Sequence, residues 1–95
     1  MKRIFSYYEI KSPDDNYGLV GSFETVGEAL FHINKSYQHA KSLGYDNSYE
    51  KWVIVCVERV KEFNSKGEFV KEEITRFVSD YVEYSFYNDA YLIHI

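Results

Sequence analysis

From Val26 to Ala40 the apolar residues fall on one narrow stripe. Val26, Ala29, Leu30, Ile33, Tyr37 and Ala40 recur at helical spacing. Thr25, with Glu28 three residues later, forms a capping-box pattern at the start. Gly44 supplies a C-terminal stop. These signals predict a helix over 26–43, roughly 27 Å long at 1.5 Å per residue. Its opposite face carries Glu28, His32, Lys35, Gln38 and His39. Phe31 points to that polar face as well, the one local anomaly.

Elsewhere the pattern is that of strands. RIFSYYEIK, 3–11, is rich in β-branched and aromatic types. SPDDNYG, 12–18, is a turn cluster, and YGLVGSF, 17–23, reads as a second strand paired with the first. GYDNSYEK, 44–51, is a loop. WVIVCVERVKEF, 52–63, opens with a continuous apolar run, which predicts a central strand covered on both faces. NSKG, 64–67, is a hairpin turn with Gly67 suited to positive φ. EFVKEEITRFVS, 68–79, is the return strand, with a bulge at Gly67 that sets Phe63 opposite Phe69 and Arg59 opposite Glu73. Val70, Ile74, Phe77, Val78, Tyr81 and Val82 also fit a helical stripe. The turn chemistry and the cross-strand pairs favour a strand. Residues 81–87 and 90–95 are further β-formers, separated by a turn at Asn88-Asp89. The expected architecture is α+β in the order ββαβββ: an antiparallel sheet of about five strands with one amphipathic helix packed across it. The 95 residues are expected to form a single domain, 1–95.

Composition narrows the chemistry. Hydrophobic residues make up 45% of the chain, as in ordinary globular proteins. No apolar run approaches the ~20 residues of a membrane span, and the N-terminus turns polar by Ser6, unlike a signal peptide. A lone Cys56 inside an apolar strand reads as a small buried hydrophobe, and an unpaired cysteine fits a reducing compartment, hence the cytoplasm. The net charge is −4, and all of the negative surplus lies in residues 46–95. That opposes nonspecific duplex binding, which depends on Lys and Arg neutralising phosphates. Residues with AT-rich codons abound, which points to an AT-rich genome.

Catalytic and metal chemistry find no foothold. His32 and His39 share a helix face but lie about 10 Å apart along its axis, too far for one zinc. His94 has no evident partner. Glu72 and Glu73 are neighbours on a strand and point to opposite faces, while Asp14-Asp15 sits in a turn. GxSxG, GxGxxG and the P-loop lysine are absent. The expectation is therefore a protein without enzymatic activity, cofactor or metal.

What remains is an unusual aromatic load: ten tyrosines, seven phenylalanines and one tryptophan. The C-terminal segment YVEYSFYNDAYLIHI concentrates them. Tyr81, Tyr84, Tyr87 and Tyr91, with Glu83 and Asp89, are the candidate partner-binding residues. Tyrosine offers large contact area with a polar tip. Together they predict an aromatic and acidic surface that meets a partner protein carrying basic residues beside apolar pockets. In size, charge and composition the chain resembles the small acidic inhibitors of phages and mobile elements, anti-CRISPR proteins among them. The likeness rests on no motif, so no residue role follows from it. It implies a protein-protein interaction module that inhibits a host protein. Two other readings stand beside it. One is a nucleic-acid-associated protein using an aromatic sheet. The other is a self-assembling structural protein, or a homodimer, joined through an unpaired C-terminal β-edge.

Overall fold

The computed structural model describes residues 1–11 and 21–94. Its elements are β1 (Lys2–Lys11), α1 (Val26–Ser42), β2 (Trp52–Phe63), β3 (Phe69–Ser85) and β4 (Ala90–His94). The strands form one antiparallel sheet in the order β1-β2-β3-β4. The fold is α+β as expected, but with four strands among the described residues rather than about five. Two details differ from expectation. Residues 68–79 and 81–87 are not separate strands: β3 runs through both. A bulge at Ser79 keeps it continuous, since Ile54 pairs with Asp80 and Val55 with Val78, and the Ser79 hydroxyl donates to the Ile54 carbonyl at 3.2 Å. Of the expected second strand, 17–23, residues 17–20 lie outside the described residues, as does the whole of the 12–18 turn. Phe23 contributes one bridge to Tyr8 through a pair of backbone hydrogen bonds.

The helix forms where its stripe predicts. Thr25 Oγ1 accepts from the Glu28 backbone N–H at 3.1 Å, and the Glu28 carboxylate accepts from the Glu24 N–H at 3.1 Å. At the other end Gly44, at φ +86°, allows a Schellman closure: Tyr45 N–H donates to the Ala40 carbonyl and Gly44 N–H to that of Lys41, both at 3.0 Å. Phe31 is indeed stranded in solvent on the polar face.

The core lies between α1 and one end of the sheet. Ala29, Ile33 and Tyr37 pack onto Ile10, Ile54, Val82 and Tyr91, one residue from each strand. Fully burying a side chain of this size contributes about 1.5–3 kcal/mol, so these positions dominate the stability of the fold.

The β2–β3 hairpin closes on Asn64, whose side-chain oxygen accepts from the N–H groups of Lys66 and Glu68, and on Gly67 at φ +79°. Phe63 pairs with Phe69 as expected, their rings 6.1 Å apart and edge to face. Arg59 does not pair with Glu73. The register slips by one between Glu62 and Phe63, leaving Val70 as an extra residue, so Arg59 faces Ile74 and Val60 faces Glu73.

Element lengths set the shape. Seventeen strand residues span roughly 56 Å at ~3.3 Å each, whereas a 17-residue helix spans about 26 Å. The sheet therefore outruns the helix. The molecule measures 56 × 26 × 20 Å, with a radius of gyration of 16.6 Å, against about 12 Å for a compact domain of this length. A proximal half of the sheet sits under α1. A distal half, built from the start of β1, the end of β2 and the start of β3, projects beyond it.

Candidate protein-interaction surface

The six residues singled out from the sequence do not form one patch. Strand alternation divides them. Tyr84 points toward α1, while Tyr81 and Glu83 point to the opposite, open face. Tyr91 has no solvent exposure at all and belongs to the core. Its ring meets those of Tyr37, Trp52 and Tyr84 edge-on, at 5.6, 6.5 and 5.4 Å. Its hydroxyl donates to the Asn47 carbonyl at 2.6 Å, and burial pushes its pKa up.

Tyr84 and Asp89 belong to a half-exposed assembly beside the core. The Tyr84 hydroxyl donates to Asp89 Oδ1, and the Tyr37 hydroxyl lies 2.8 Å from that of Tyr84. Lys41 Nζ donates to Asp89 Oδ2 at 2.6 Å, and Gln38 Nε2 donates to the Asp89 carbonyl at 3.1 Å. The lysine, then the tyrosine, hold the Asp89 carboxyl down at about 2, and the bond to Asp89 pushes the Tyr84 phenol up. This is a clasp that fastens the β3–β4 hairpin to α1. Of the six, only Tyr81, Glu83 and Tyr87 are exposed and uninvolved in the core or the clasp; Asp89 is engaged in the clasp although its side chain is 44% exposed. Tyr87 stands at the hairpin tip, 97% exposed, beside Phe86 at 83%.

The broader apolar surface lies elsewhere, and it runs from the distal end of the sheet into the proximal half. On the face turned away from α1, Phe5, Phe69, Ile74, Val78 and Tyr81 are exposed, over a floor of buried Val53, Val55 and Val57. Glu9, only 4% exposed, reaches across β2 to Arg76 with 3.0 Å between Oε1 and Nε. That bridge covers Val57, the strand-partner of both Tyr7 and Arg76. Arg59 and Lys61 lie 3.8 and 3.7 Å from the Glu72 carboxylate. Cations also sit over rings: Arg3 over Phe63, Arg59 over Tyr7 and Lys61 over Phe5, at 5.6, 5.8 and 5.5 Å. These contacts fix long side chains beside apolar ones and leave the apolar residues in water. The other distal face exposes Ile4 and Phe77 among Lys2, Glu58, Glu62, Lys71 and Glu73.

Apart from Tyr81, none of these residues was singled out in advance. One signal did exist. The strands 52–63 and 68–79, read from the sequence, are each longer than the helix can cover, so both faces of their outer ends had to be exposed. The Glu9–Arg76 bridge left no such signal, because it joins strands far apart in sequence.

Among the described residues, no three His, Cys, Asp or Glu side chains gather as a metal site. His32 packs on the Phe23 ring at 5.3 Å. The Cys56 thiol is buried, and burial raises its pKa. No helix among these residues is long and apolar enough to cross a membrane.

Compared with known proteins, the chain matches no family model, no curated protein and no solved structure. Its function is therefore argued from geometry alone.

Proposed function

We infer that this chain is a protein-binding module without catalytic chemistry of its own, and that it presents the open face of its sheet, the one turned away from α1, to a protein partner. One observation carries the reading: a well-paired sheet leaves Phe5, Phe69, Ile74, Val78 and Tyr81 in solvent on a single face. Contiguous exposed apolar surface on a soluble chain marks an interaction site. The charged groups on that face are Arg3, Lys11, Arg59, Lys61 and Arg76 against Glu9, Glu72 and Glu83. The partner surface that fits it is apolar, with carboxylates at its edge. The basic and apolar partner expected from the tyrosine-acid set meets Phe86, Tyr87 and Glu83 at the hairpin tip instead. Inhibition of a host protein is the finer form of this reading, resting on the likeness to phage and mobile-element inhibitors.

A second reading draws on the three cation-ring pairs of the open face, which resemble a stacking platform for single-stranded nucleic acid. The ion pairs to Glu9 and Glu72 weigh against it, because they neutralise cations that phosphates need.

The test is capture from host lysate by the immobilised chain, with Phe5→Asp and Tyr87→Ala compared. Loss of an interface anchor costs about 2 kcal/mol or more. Phe5→Asp is expected to lose a nuclease-resistant protein partner while melting like wild type. Selective loss with Tyr87→Ala moves the site to the hairpin tip. Retention that disappears on nuclease treatment supports the nucleic-acid reading instead.

A further inference from the structure

The sheet has a second unfinished feature besides its apolar face: an open edge. β4 pairs with β3 only from Tyr81 to Ser85. Among the described residues, nothing pairs with the outer edge of β3 from Phe69 to Asp80. That is twelve residues, roughly 40 Å of backbone at ~3.3 Å each. An edge of this length with Phe69, Val70, Ile74, Phe77 and Val78 along it is a template for another strand.

The neighbouring edge shows what protection looks like in this molecule. On β4, Tyr91 N–H donates to Asn34 Oδ1 at 2.6 Å, and Asn34 Nδ2 donates to the Tyr91 carbonyl at 3.3 Å. One asparagine of α1 thus satisfies both outward backbone groups at that position, as a neighbouring strand would. The expectation that the C-terminal strand offers an edge for self-pairing meets this obstacle. Among the described residues, no hydrogen bond from outside the sheet reaches the backbone of 69–80.

We propose that the β3 edge is the dimerisation surface of this protein: two copies join antiparallel through residues 70–78, with the two-fold axis at Ile74, to make one continuous eight-stranded sheet. The pleat and the charges select this register. A two-fold axis perpendicular to the sheet must pass through a residue, so that facing side chains lie on the same face. At Ile74, Ile74 meets Ile74, Glu72 meets Arg76 twice, and Val70 meets Val78 twice. Lys71 faces Phe77, and Glu73 faces Thr75. Moving the axis to Glu73 sets that carboxylate against its own copy and Ile74 against Glu72. Moving it to Thr75 sets Ile74 against Arg76 and Glu72 against Val78. Opposite charges facing across strands are favourable and like charges are not, so only the Ile74 axis joins apolar to apolar and acid to base. The dimer leaves the Phe5 and Tyr81 face free, and the inference does not rest on the partner reading above.

The test combines mass in solution with cross-linking. Analytical ultracentrifugation of the wild-type chain is expected to show a concentration-dependent monomer–dimer equilibrium. Ile74→Arg places two like charges at the axis, so dimerisation is expected to weaken about tenfold or more while the melting temperature of the dilute protein is unchanged. Ile74→Cys is expected to form a disulfide-linked dimer under mild oxidation. Lys71→Cys is not, because its two copies stand roughly 20 Å apart in this register. Native Cys56 is buried and common to both variants. A wild-type chain that stays monomeric up to submillimolar concentration overturns the proposal. So does a dimer that cross-links through Lys71→Cys rather than Ile74→Cys, or one that ignores Ile74→Arg. Protection of the β3 amides only in the presence of a different protein also overturns it.

Discussion

Three strands run through both halves of this sheet, and β4 joins them only in the proximal half. There Ile10, Ile54, Val82 and Tyr91 lie fully buried against α1. In the distal half, Ile4, Phe5, Phe69, Val70 and Ile74 stand in water. Besides the fourth strand, what differs is the covering layer, and its reach is fixed by arithmetic: helical residues advance less than half as far as strand residues. Stability is therefore expected to concentrate in the proximal half. The distal half, which the helix cannot reach, is left for association.

That comparison is open to attack from either side. The largest effect is expected at Ile33, which is buried at the centre of the core. Ile33→Asp buries an unpartnered charge and is expected to unfold the chain, with no cooperative transition in a circular-dichroism melt. Tyr91→Ala comes next. Removing a fully buried aromatic typically costs about 3–5 kcal/mol, and chemical denaturation measures it. Tyr87→Ala, four residues earlier in the same segment, is expected to shift stability by less than about 0.5 kcal/mol. Asn34→Ala strips the partner from the Tyr91 N–H and carbonyl, a loss of about 1–3 kcal/mol for a buried group left unpaired. If it melts like wild type, the asparagine does not seal the β4 edge.

The clasp adds a pH dependence of known sign. The folded-state carboxyl of Asp89 is held at about 2, below its ordinary 3.8. Its contribution is therefore fully present above pH 4 and is lost as the pH falls toward 2. Tyr84 is shifted the other way, so its contribution is present below pH 10 and is lost as the pH rises beyond it. Asp89→Asn is expected to flatten the acid limb of a stability profile relative to wild type. The smallest effect is expected in the distal half. Ile74→Thr keeps a β-branched side chain at an exposed site, and dilute protein is expected to lose less than about 0.5 kcal/mol.

How much of this was legible in the sequence depended on how local each signal was. The helix was, because Thr25, Glu28, Gly44 and the stripe between them all act within one element. The Phe63–Phe69 pair was also legible, since a short turn fixes it. Four pairs further along the hairpin, the Arg59 register failed, because the bulge at Val70 leaves no composition cue. Residues 81–87 were read apart from 68–79, whereas in three dimensions Ser79 bulges and anchors itself to Ile54, and β3 runs on. The tyrosines posed a different difficulty. Tyr84, Tyr87 and Tyr91 are alike in local sequence. Their separation into clasp, tip and core depends on strand alternation and on where α1 ends.

The central claim, that stability and association are divided between the two halves, is tested most directly along β2. This strand runs through both halves with hydrogen-bonded neighbours on each side throughout. Native-state hydrogen exchange on dilute protein is expected to show Val53–Val57 exchanging only through global unfolding. The amides of Glu58–Phe63 are expected to open through a cheaper, sub-global event. Uniform protection from Val53 to Phe63, tracking the global stability at every amide, would contradict the account: the distal sheet would then be an integral part of one cooperative core.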